Sequence, residues 1–119
     1  DINFAIVHSF DGYDEISLTA DTRLGVKGTE KKLTVEDFNL ERIEPEKLFG
    51  GNTIEKAAKI FTGVLEGNGT KEQTNVVLAN AGLALQVVNP EKELTECVAL
   101  ARESLESGKA LQSLKSVIQ

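Results

Sequence analysis

The sequence has very few of the residues that build disulfide frameworks or histidine-rich metal sites. Its 119 residues include one cysteine, Cys97, and one histidine, His8, with no methionine or tryptophan. A single cysteine excludes an internal disulfide. Because Cys97 lies among apolar residues of a predicted helix, we expect a buried thiol rather than a reactive one. At His8 we expect a structural hydrogen bond at a strand end rather than a general base.

Long apolar runs and an excess of positive charge are also missing. No apolar stretch reaches the length that a membrane span needs, and the N-terminus lacks the charged-then-apolar layout of a signal peptide. We therefore expect a cytoplasmic protein with no membrane partner. The formal net charge is -6, so the average field repels polyanions and no nucleic acid partner is expected. A local basic pocket for a phosphorylated substrate is compatible with this mean charge.

The first thirty-five residues carry the signals of β structure. Residues 2–8 are almost continuously apolar, which predicts a strand covered on both faces in a mainly parallel sheet. β-branched and polar residues alternate over 16–26 and 31–35, which predicts a two-stranded ribbon with its turn at Gly28–Thr29. The apolar residues expected to face one another across this ribbon are Leu24 and Val26 on one strand and Leu33 and Val35 on the other.

Four helices are expected within residues 52–118, after an irregular stretch with at most short helical turns. They are delimited by cap and break residues: a cap at Asn52, a stop at Gly67, a capping box of Thr70 and Gln73, a cap at Asn89 and a break at Gly108. The middle of the second helix is apolar nearly all round, so we expect it to be buried on most sides. Asn80 is its one strongly polar residue and is expected to form a hydrogen bond within the fold.

Together these elements predict a partial α/β fold, with one central-sheet strand, a β-ribbon and then about four helices. A lone central strand is not a stable sheet. The chain also begins at Asp1, within a strand pattern and without methionine. We therefore expect a fragment whose remaining strands lie in an N-terminal portion.

The loop that follows the first predicted strand carries the residues best suited to chemistry. Asp14 and Glu15 are adjacent, close to Gly12, and loops at the carboxyl ends of strands in open α/β sheets bind ligands. Magnesium takes oxygen ligands and is commonly held by one or two carboxylates, waters and substrate phosphates. The pair is therefore a candidate magnesium–phosphate site. The alternative is that both carboxylates only solvate an exposed turn.

Five segments in the correct order resemble the anthranilate phosphoribosyltransferases, over essentially the whole chain. The first is the acidic loop, matched by Val7, His8, Asp11, Gly12, Asp14, Glu15, Ser17 and Thr19. The others are Leu33–Phe38, Phe49–Asn52 with Ala57 and Ala58, Val77–Ala81, and Ala101–Glu103 with Ser107–Ala110. Each segment alone is weak evidence, whereas five in order are specific.

The resemblance implies a fold, a reaction and a metal. The chain would be the C-terminal part (1–119) of the large domain of a nucleoside-phosphorylase/phosphoribosyltransferase-type fold, with strand, acidic loop and ribbon in 1–35 and helices in 52–118. The full-length enzyme, a homodimer, would transfer phosphoribosyl from phosphoribosyl pyrophosphate to anthranilate in tryptophan biosynthesis. In that family the paired acidic residues bind Mg²⁺ associated with phosphoribosyl pyrophosphate, and this role carries over to Asp14 and Glu15.

The chain also departs from the family pattern. Ser9, Ala20 and Asn39 stand where the family usually or commonly has glycine. The glycine-rich pyrophosphate loop, the Lys-His-Gly segment and the arginine that holds anthranilate all belong upstream of this stretch, so the fragment is expected to be inactive alone, with no catalytic residue assigned. The alternatives are a fragment of a pyrimidine nucleoside phosphorylase-like enzyme, or a non-catalytic binding or assembly module.

Overall fold

Three short strands come first in the chain and four helices come last. A computed structural model describes residues 2–118, so the two end residues of the predicted 1–119 unit lie outside the described range. The strands are β1 (Ala5–Ser9), β2 (Thr22–Val26) and β3 (Thr29–Leu33). The helices are α1 (Ile54–Leu65), α2 (Lys71–Val88), α3 (Leu94–Glu106) and α4 (Lys109–Ile118). The predicted order of a strand, a ribbon and four helices is confirmed.

The strands form one antiparallel sheet in the order β1-β2-β3. The parallel neighbours expected for residues 2–8 were placed in an N-terminal portion, so the parallel sheet covered on both faces stays a prediction. β1 pairs antiparallel with β2, with Ser9 opposite Thr22, and lies at the edge. Val7 packs against the core, whereas Ile6 is 67% exposed. The apolar run was ambiguous because both faces of β1 carry apolar side chains, and only one face is covered by described residues.

The ribbon of β2 and β3 is confirmed, but its turn and register differ from the prediction. The turn is Lys27–Gly28, where Gly28 has a φ of +74° that suits glycine. Leu24 therefore lies opposite Lys31 rather than opposite an apolar residue. Val35 is outside the strand, in a 3-10 helix of one turn (Val35–Phe38). Leu24 and Val35 are nevertheless both buried, because they reach the same core from different elements.

A left-handed residue ends this 3-10 helix. Asn39 has a φ of +58° and donates its backbone N–H to the carbonyl of Glu36. Asparagine is among the few non-glycine residues that adopt this conformation at low cost. Asn39 therefore serves in a position where the family usually has glycine. A second 3-10 helix, Pro45–Leu48, fills part of the stretch in which only short helical turns were expected.

The helix boundaries confirm most of the predicted signals and correct two. Thr70 and Gln73 form the predicted capping box, and Gly67 and Gly108 follow the ends of their helices with positive φ. The cap of α1 is Thr53 rather than Asn52, because its hydroxyl accepts the Lys56 N–H. The third helix does not begin at Asn89. That residue ends α2 by donating its backbone N–H to the Leu85 carbonyl, and α3 begins only at Leu94, after Glu93.

The core lies where α2 packs against α3 and against the loop between β1 and β2. Leu78, Ala79 and Leu83 of α2 are buried, but Val77 is 40% exposed, so the helix is covered over only part of its circumference. A Cβ at Gly82 would lie 2.6 Å from Cγ2 of Val98. Glycine therefore allows the close approach of α2 to α3. Within residues 2–118, the helices are all too short or too polar to cross a lipid bilayer.

Candidate functional site

The loop between β1 and β2 begins with a tight turn. The Ser9 N–H donates to the Tyr13 carbonyl at 2.9 Å, and the Gly12 N–H donates to the Ser9 carbonyl at 3.0 Å. Gly12 has a φ of +106°, a conformation that L side chains rarely adopt. The turn folds the chain back at the end of β1 and leads directly into Asp14 and Glu15.

Asp14 and Glu15, the two predicted metal ligands, are both exposed on this loop. Within residues 2–118 neither carboxylate forms a hydrogen bond or an ion pair, so both can take an outside ligand. Over the same range there is no group of three or more His, Cys, Asp or Glu side chains placed to hold a metal. The described residues therefore offer a pair of oxygen donors rather than a complete cage.

The chain immediately after the acidic pair is attached to α2. Asn80 accepts the Ile16 N–H at 3.0 Å through Oδ1 and donates to the Ile16 carbonyl at 2.8 Å through Nδ2. The same Nδ2 donates to the Val76 carbonyl, one turn back on the helix, at 2.9 Å. The predicted hydrogen bond of Asn80 within the fold is thus confirmed. Its partner is the backbone beside Glu15.

A ring of four side chains ties the start of the loop to its end. Ser9 donates to one carboxylate oxygen of Asp11 and Thr19 donates to the other, each at 2.5 Å. Ser17 closes the ring, 3.0 Å from the Ser9 hydroxyl and 2.6 Å from the Thr19 hydroxyl. Ser9 and Ser17 are buried. Because the Ser9 and Thr19 hydroxyl protons are both directed at Asp11, Ser17 donates to only one of these two hydroxyls at a time.

The ring changes the acidity of Asp11. The Ser9 hydroxyl is the main cause that holds the pKa of this carboxyl below its ordinary value, and the Thr19 hydroxyl adds to the effect. Hydrogen bonds to an ionised carboxylate favour the charged form. Asp11 therefore remains an anion that accepts bonds from two hydroxyl groups, and Ser17 contacts both of those hydroxyls. Ser9, noted as a departure from the family's glycine, supplies one of the two bonds to the carboxylate.

The outer side of the loop is fixed by a left-handed residue and an arginine. Leu18 has a φ of +63° although it is not glycine, and its side chain is buried. Its carbonyl accepts the Ile43 N–H at 2.9 Å. Arg42 donates to the Thr19 carbonyl and to the Asp21 carboxylate, both at 3.2 Å. A strained backbone persists only where its surroundings hold it, as here.

His8 and Cys97 remain outside this network. His8 is exposed in β1, and within residues 2–118 its side chain has no hydrogen bond, so the predicted structural bond is wrong for that range. Cys97 is fully buried in α3, as predicted, and burial raises the pKa of its thiol. A buried thiol with a raised pKa is a poor nucleophile.

An apolar groove of about 340 Å³ lies next to the acidic pair. Glu15 and Tyr13 form part of its wall, and α1 and α2 contribute Phe61 and Val77. Phe61 is 56% exposed and Ile54, at the start of α1, is 87% exposed. The apolar side chains at these positions of α1 are therefore little covered by described residues.

The sequence alone indicated the acidic pair but not the groups that hold it. In the sequence, Asp11, Ser17 and Thr19 only match positions of the family pattern, which gives them no role. The pairing of Asn80 with Ile16 spans 64 residues and has no local signal. The hydroxyl ring leaves only a weak signal in the sequence, namely three Ser or Thr residues that flank an aspartate at short spacings.

Residues 3–111 match the glycosyl transferase family, a/b domain. The chain belongs to this family. It is also similar to proteins named anthranilate phosphoribosyltransferase: it is 53% identical over 116 residues to the one from Bacteroides fragilis strain YCH46 and 47% identical to that from Cytophaga hutchinsonii. Each match covers 98% of this chain and 35% of the relative. The chain thus spans about a third of the length of the relatives it matches.

Solved structures of this glycosyl transferase type have the same fold. The chain superposes on anthranilate phosphoribosyltransferase from Thermus thermophilus with a TM-score of 0.81 and 34% identity, over 94% of this chain and 33% of that one. The Saccharomyces cerevisiae enzyme in complex with 4-fluoroanthranilate gives 0.82 and 25%, over 93% and 33%. The same yeast enzyme in complex with PRPP and Mg gives 0.79 and 26%, over 93% and 32%. These matches confirm the partial α/β fold.

Proposed function

We propose that this chain is the C-terminal part of the α/β domain of an anthranilate phosphoribosyltransferase. The complete enzyme transfers the phosphoribosyl group of phosphoribosyl pyrophosphate to the amine of anthranilate and releases pyrophosphate, a step of tryptophan biosynthesis. The proposal is supported by the five ordered motifs, by relatives of that name at up to 53% identity and by the matching fold. Because the chain spans about a third of those relatives, the activity is proposed for the complete enzyme and not for these residues alone.

The acidic pair is proposed to hold Mg²⁺ together with the substrate. Its chemistry fits this ion, because Asp14 and Glu15 offer two oxygen donors that have no partner within residues 2–118. Magnesium commonly keeps several waters and binds through one or two carboxylates plus substrate phosphates, so a complete protein cage is not needed. A yeast structure of similar fold is described as a complex with PRPP and Mg. When bound, such an ion offsets the negative charge that develops on departing pyrophosphate.

The chain's own residues contribute position rather than proton transfer. Asp14 and Glu15 project their carboxylates into solvent from a loop that is attached on both sides, by the Asp11 ring before the pair and by Asn80 after it. The single observation that carries the proposal is this arrangement. Two exposed carboxylates without a hydrogen bond or an ion pair in residues 2–118 lie on a loop that hydrogen bonds hold in place. Orienting a charged substrate before reaction supplies much of the rate enhancement of such transfers.

The complete enzyme is further proposed to be a cytoplasmic homodimer. Within it, residues 1–35 carry the strand, the acidic loop and the ribbon, and residues 52–118 carry the helices. The net charge of -6 fits the absence of a nucleic acid partner.

The test is an assay of a chimera in which this chain replaces the matching segment of the Bacteroides fragilis relative. We expect the chimera to convert anthranilate in the presence of phosphoribosyl pyrophosphate and Mg²⁺, as followed by loss of anthranilate fluorescence. The double variant Asp14→Asn, Glu15→Gln should lose at least about 100-fold in turnover, since two charged ligands of the metal are removed. Full activity in this variant would refute the assignment of the pair.

The matched control is the double variant Glu103→Gln, Glu106→Gln. It removes the same number of negative charges from exposed positions of α3. Its turnover should stay within about twofold of the parent chimera, because both charges are exposed on α3, outside the acidic loop, and salt screens exposed charges. An equal loss in both double variants would point to net charge rather than to the acidic loop.

A further inference from the structure

Asn80 is a polar residue in an otherwise apolar stretch of α2. Its neighbours Ala79 and Ala81 are apolar, and the helix is buried on the side that meets the loop. An amide in such a place must be satisfied by hydrogen bonds, or it costs free energy. A leucine or alanine would suit the helix better if packing were its only purpose.

The amide of Asn80 binds both polar groups of one distant residue. Its oxygen accepts the Ile16 N–H at 3.0 Å, and its nitrogen donates to the Ile16 carbonyl at 2.8 Å. A third bond, to the Val76 carbonyl, holds the amide against its own helix. The side chain therefore has its two donor hydrogens and its acceptor engaged. The Asn80 amide thus bonds the N–H and the carbonyl of Ile16 as the backbone of a neighbouring β-strand would.

This contact fixes the peptide group that Glu15 shares with Ile16. The carbonyl of Glu15 and the N–H of Ile16 belong to one planar unit, so holding the N–H sets the orientation of the carbonyl as well. The buried Ile16 side chain prevents the same unit from sliding along the helix. The backbone of Glu15 therefore has little freedom to rotate relative to α2.

We propose that Asn80 is a positioning residue for the acidic pair. This role rests on the proposed function, because it concerns the metal held by Asp14 and Glu15. Asn80 does not touch the metal or the substrate. It holds the backbone beside Glu15 so that both carboxylates converge on one cation. Removing the Asn80 side chain therefore weakens metal binding more than an equally destabilising change elsewhere in the fold.

The test compares Asn80→Ala with Leu105→Ala in the chimera described above, with phosphoribosyl pyrophosphate present. Leu105 is a buried residue of α3 that lines a different part of the surface, so its truncation lowers stability without touching the loop. Mn²⁺ is titrated into each protein, and the broadening of backbone NMR signals of residues 12–16 gives the affinity. Indirect supports of metal ligands are typically worth about 10- to 100-fold in metal affinity. We expect Asn80→Ala to weaken binding about tenfold and Leu105→Ala to leave it within about twofold of the parent.

Amide hydrogen exchange provides a second readout. The Ile16 amide should exchange much faster in Asn80→Ala than in the parent. In Leu105→Ala its exchange should match the parent once the rate is corrected for the change in global stability. If Asn80→Ala does not fold, as judged by circular dichroism, Asn80→Ser takes its place. A serine hydroxyl can still bond the carbonyl four residues back but is too short to serve both groups of Ile16.

Each outcome separates the two proposals. Parent-like Mn²⁺ affinity in a folded Asn80 variant would overturn the positioning role alone. Absence of Mn²⁺ broadening in the parent chimera with phosphoribosyl pyrophosphate, or broadening that persists in Asp14→Asn, Glu15→Gln, would overturn the metal assignment and the positioning role with it. Equal weakening in Asn80→Ala and Leu105→Ala would reduce Asn80 to a structural residue.

Discussion

At the residue scale, the loop depends on hydrogen bonds that a single atom change can remove. Asp11 receives one hydroxyl bond on each carboxylate oxygen, from Ser9 and from Thr19. An amide in its place offers one acceptor and one donor group, so one of the two hydroxyls must turn away or break the ring. Ser9 has a part in this arrangement that a glycine at the same position lacks.

Asp11→Asn should therefore change how stability depends on pH. The folded-state pKa of Asp11 lies below its ordinary value, chiefly through the Ser9 bond. Its stabilisation is present above the usual titration range of an aspartate and is lost as the pH falls through the folded-state pKa. We expect the variant to be less stable at pH 7 by about 0.5–1 kcal/mol, the net worth of a surface hydrogen bond, and to lose less stability than the parent as the pH falls below about 4, the ordinary pKa of an aspartate.

Urea unfolding at a series of pH values measures this difference. The control is Glu46→Gln, which removes a carboxylate from the exposed 3-10 helix Pro45–Leu48. That variant should follow the parent in acid. Parallel acid profiles for the parent and Asp11→Asn would contradict the account of the ring.

At the element scale, the crossing of α2 and α3 depends on one glycine. A Cβ built at Gly82 would lie 2.6 Å from Cγ2 and 3.0 Å from Cα of Val98. The first atom can move with its side chain, but the second belongs to the backbone of α3. Gly63 in α1 differs, because a Cβ there meets no atom of residues 2–118 within 4 Å.

Gly82→Ala and Gly63→Ala should therefore shift stability in opposite directions. Alanine gains about 1 kcal/mol over glycine within a helix, and overpacking a core costs about 1–3 kcal/mol. We expect Gly63→Ala to stabilise by about 0.5–1 kcal/mol and Gly82→Ala to destabilise by about 1–2 kcal/mol in chemical unfolding. Adding Val98→Ala to Gly82→Ala should relieve part of the clash. A stabilising Gly82→Ala would contradict the close approach.

The helices could be predicted from the sequence better than the sheet. Local chemistry decides where a helix starts and stops, and Thr70, Gly67 and Gly108 gave those signals correctly. The predicted helix start at Asn89 was wrong because an asparagine can end one helix as well as begin the next. The antiparallel pairing of β1 with β2 was not predicted, because an apolar strand carries no local sign of its partner's direction. Non-local contacts such as Asn80 with Ile16 are likewise invisible to spacing.

At the scale of the whole molecule, the chain exposes much apolar surface, and part of it lies near the acidic pair. Phe49 is 69% exposed, Phe61 is 56% exposed and Ile6 on the sheet edge is 67% exposed. The groove beside Glu15 opens onto part of this surface. The similar enzymes are about three times as long as this chain. A phosphoribosyl-transfer site also needs groups that hold pyrophosphate and anthranilate, which the resemblance assigns to the upstream portion.

The most direct test of the proposed function is phosphoribosyl transfer measured in parallel for the 119-residue chain alone and for its chimera with the Bacteroides fragilis relative. We expect no anthranilate consumption by the chain alone, and Mg²⁺-dependent consumption by the chimera within about tenfold of that relative's own rate, given the 53% identity of the exchanged segment. Turnover by the chain alone would contradict the expectation that the active site needs residues from the upstream portion of the enzyme. A folded chimera without turnover would contradict the proposed reaction.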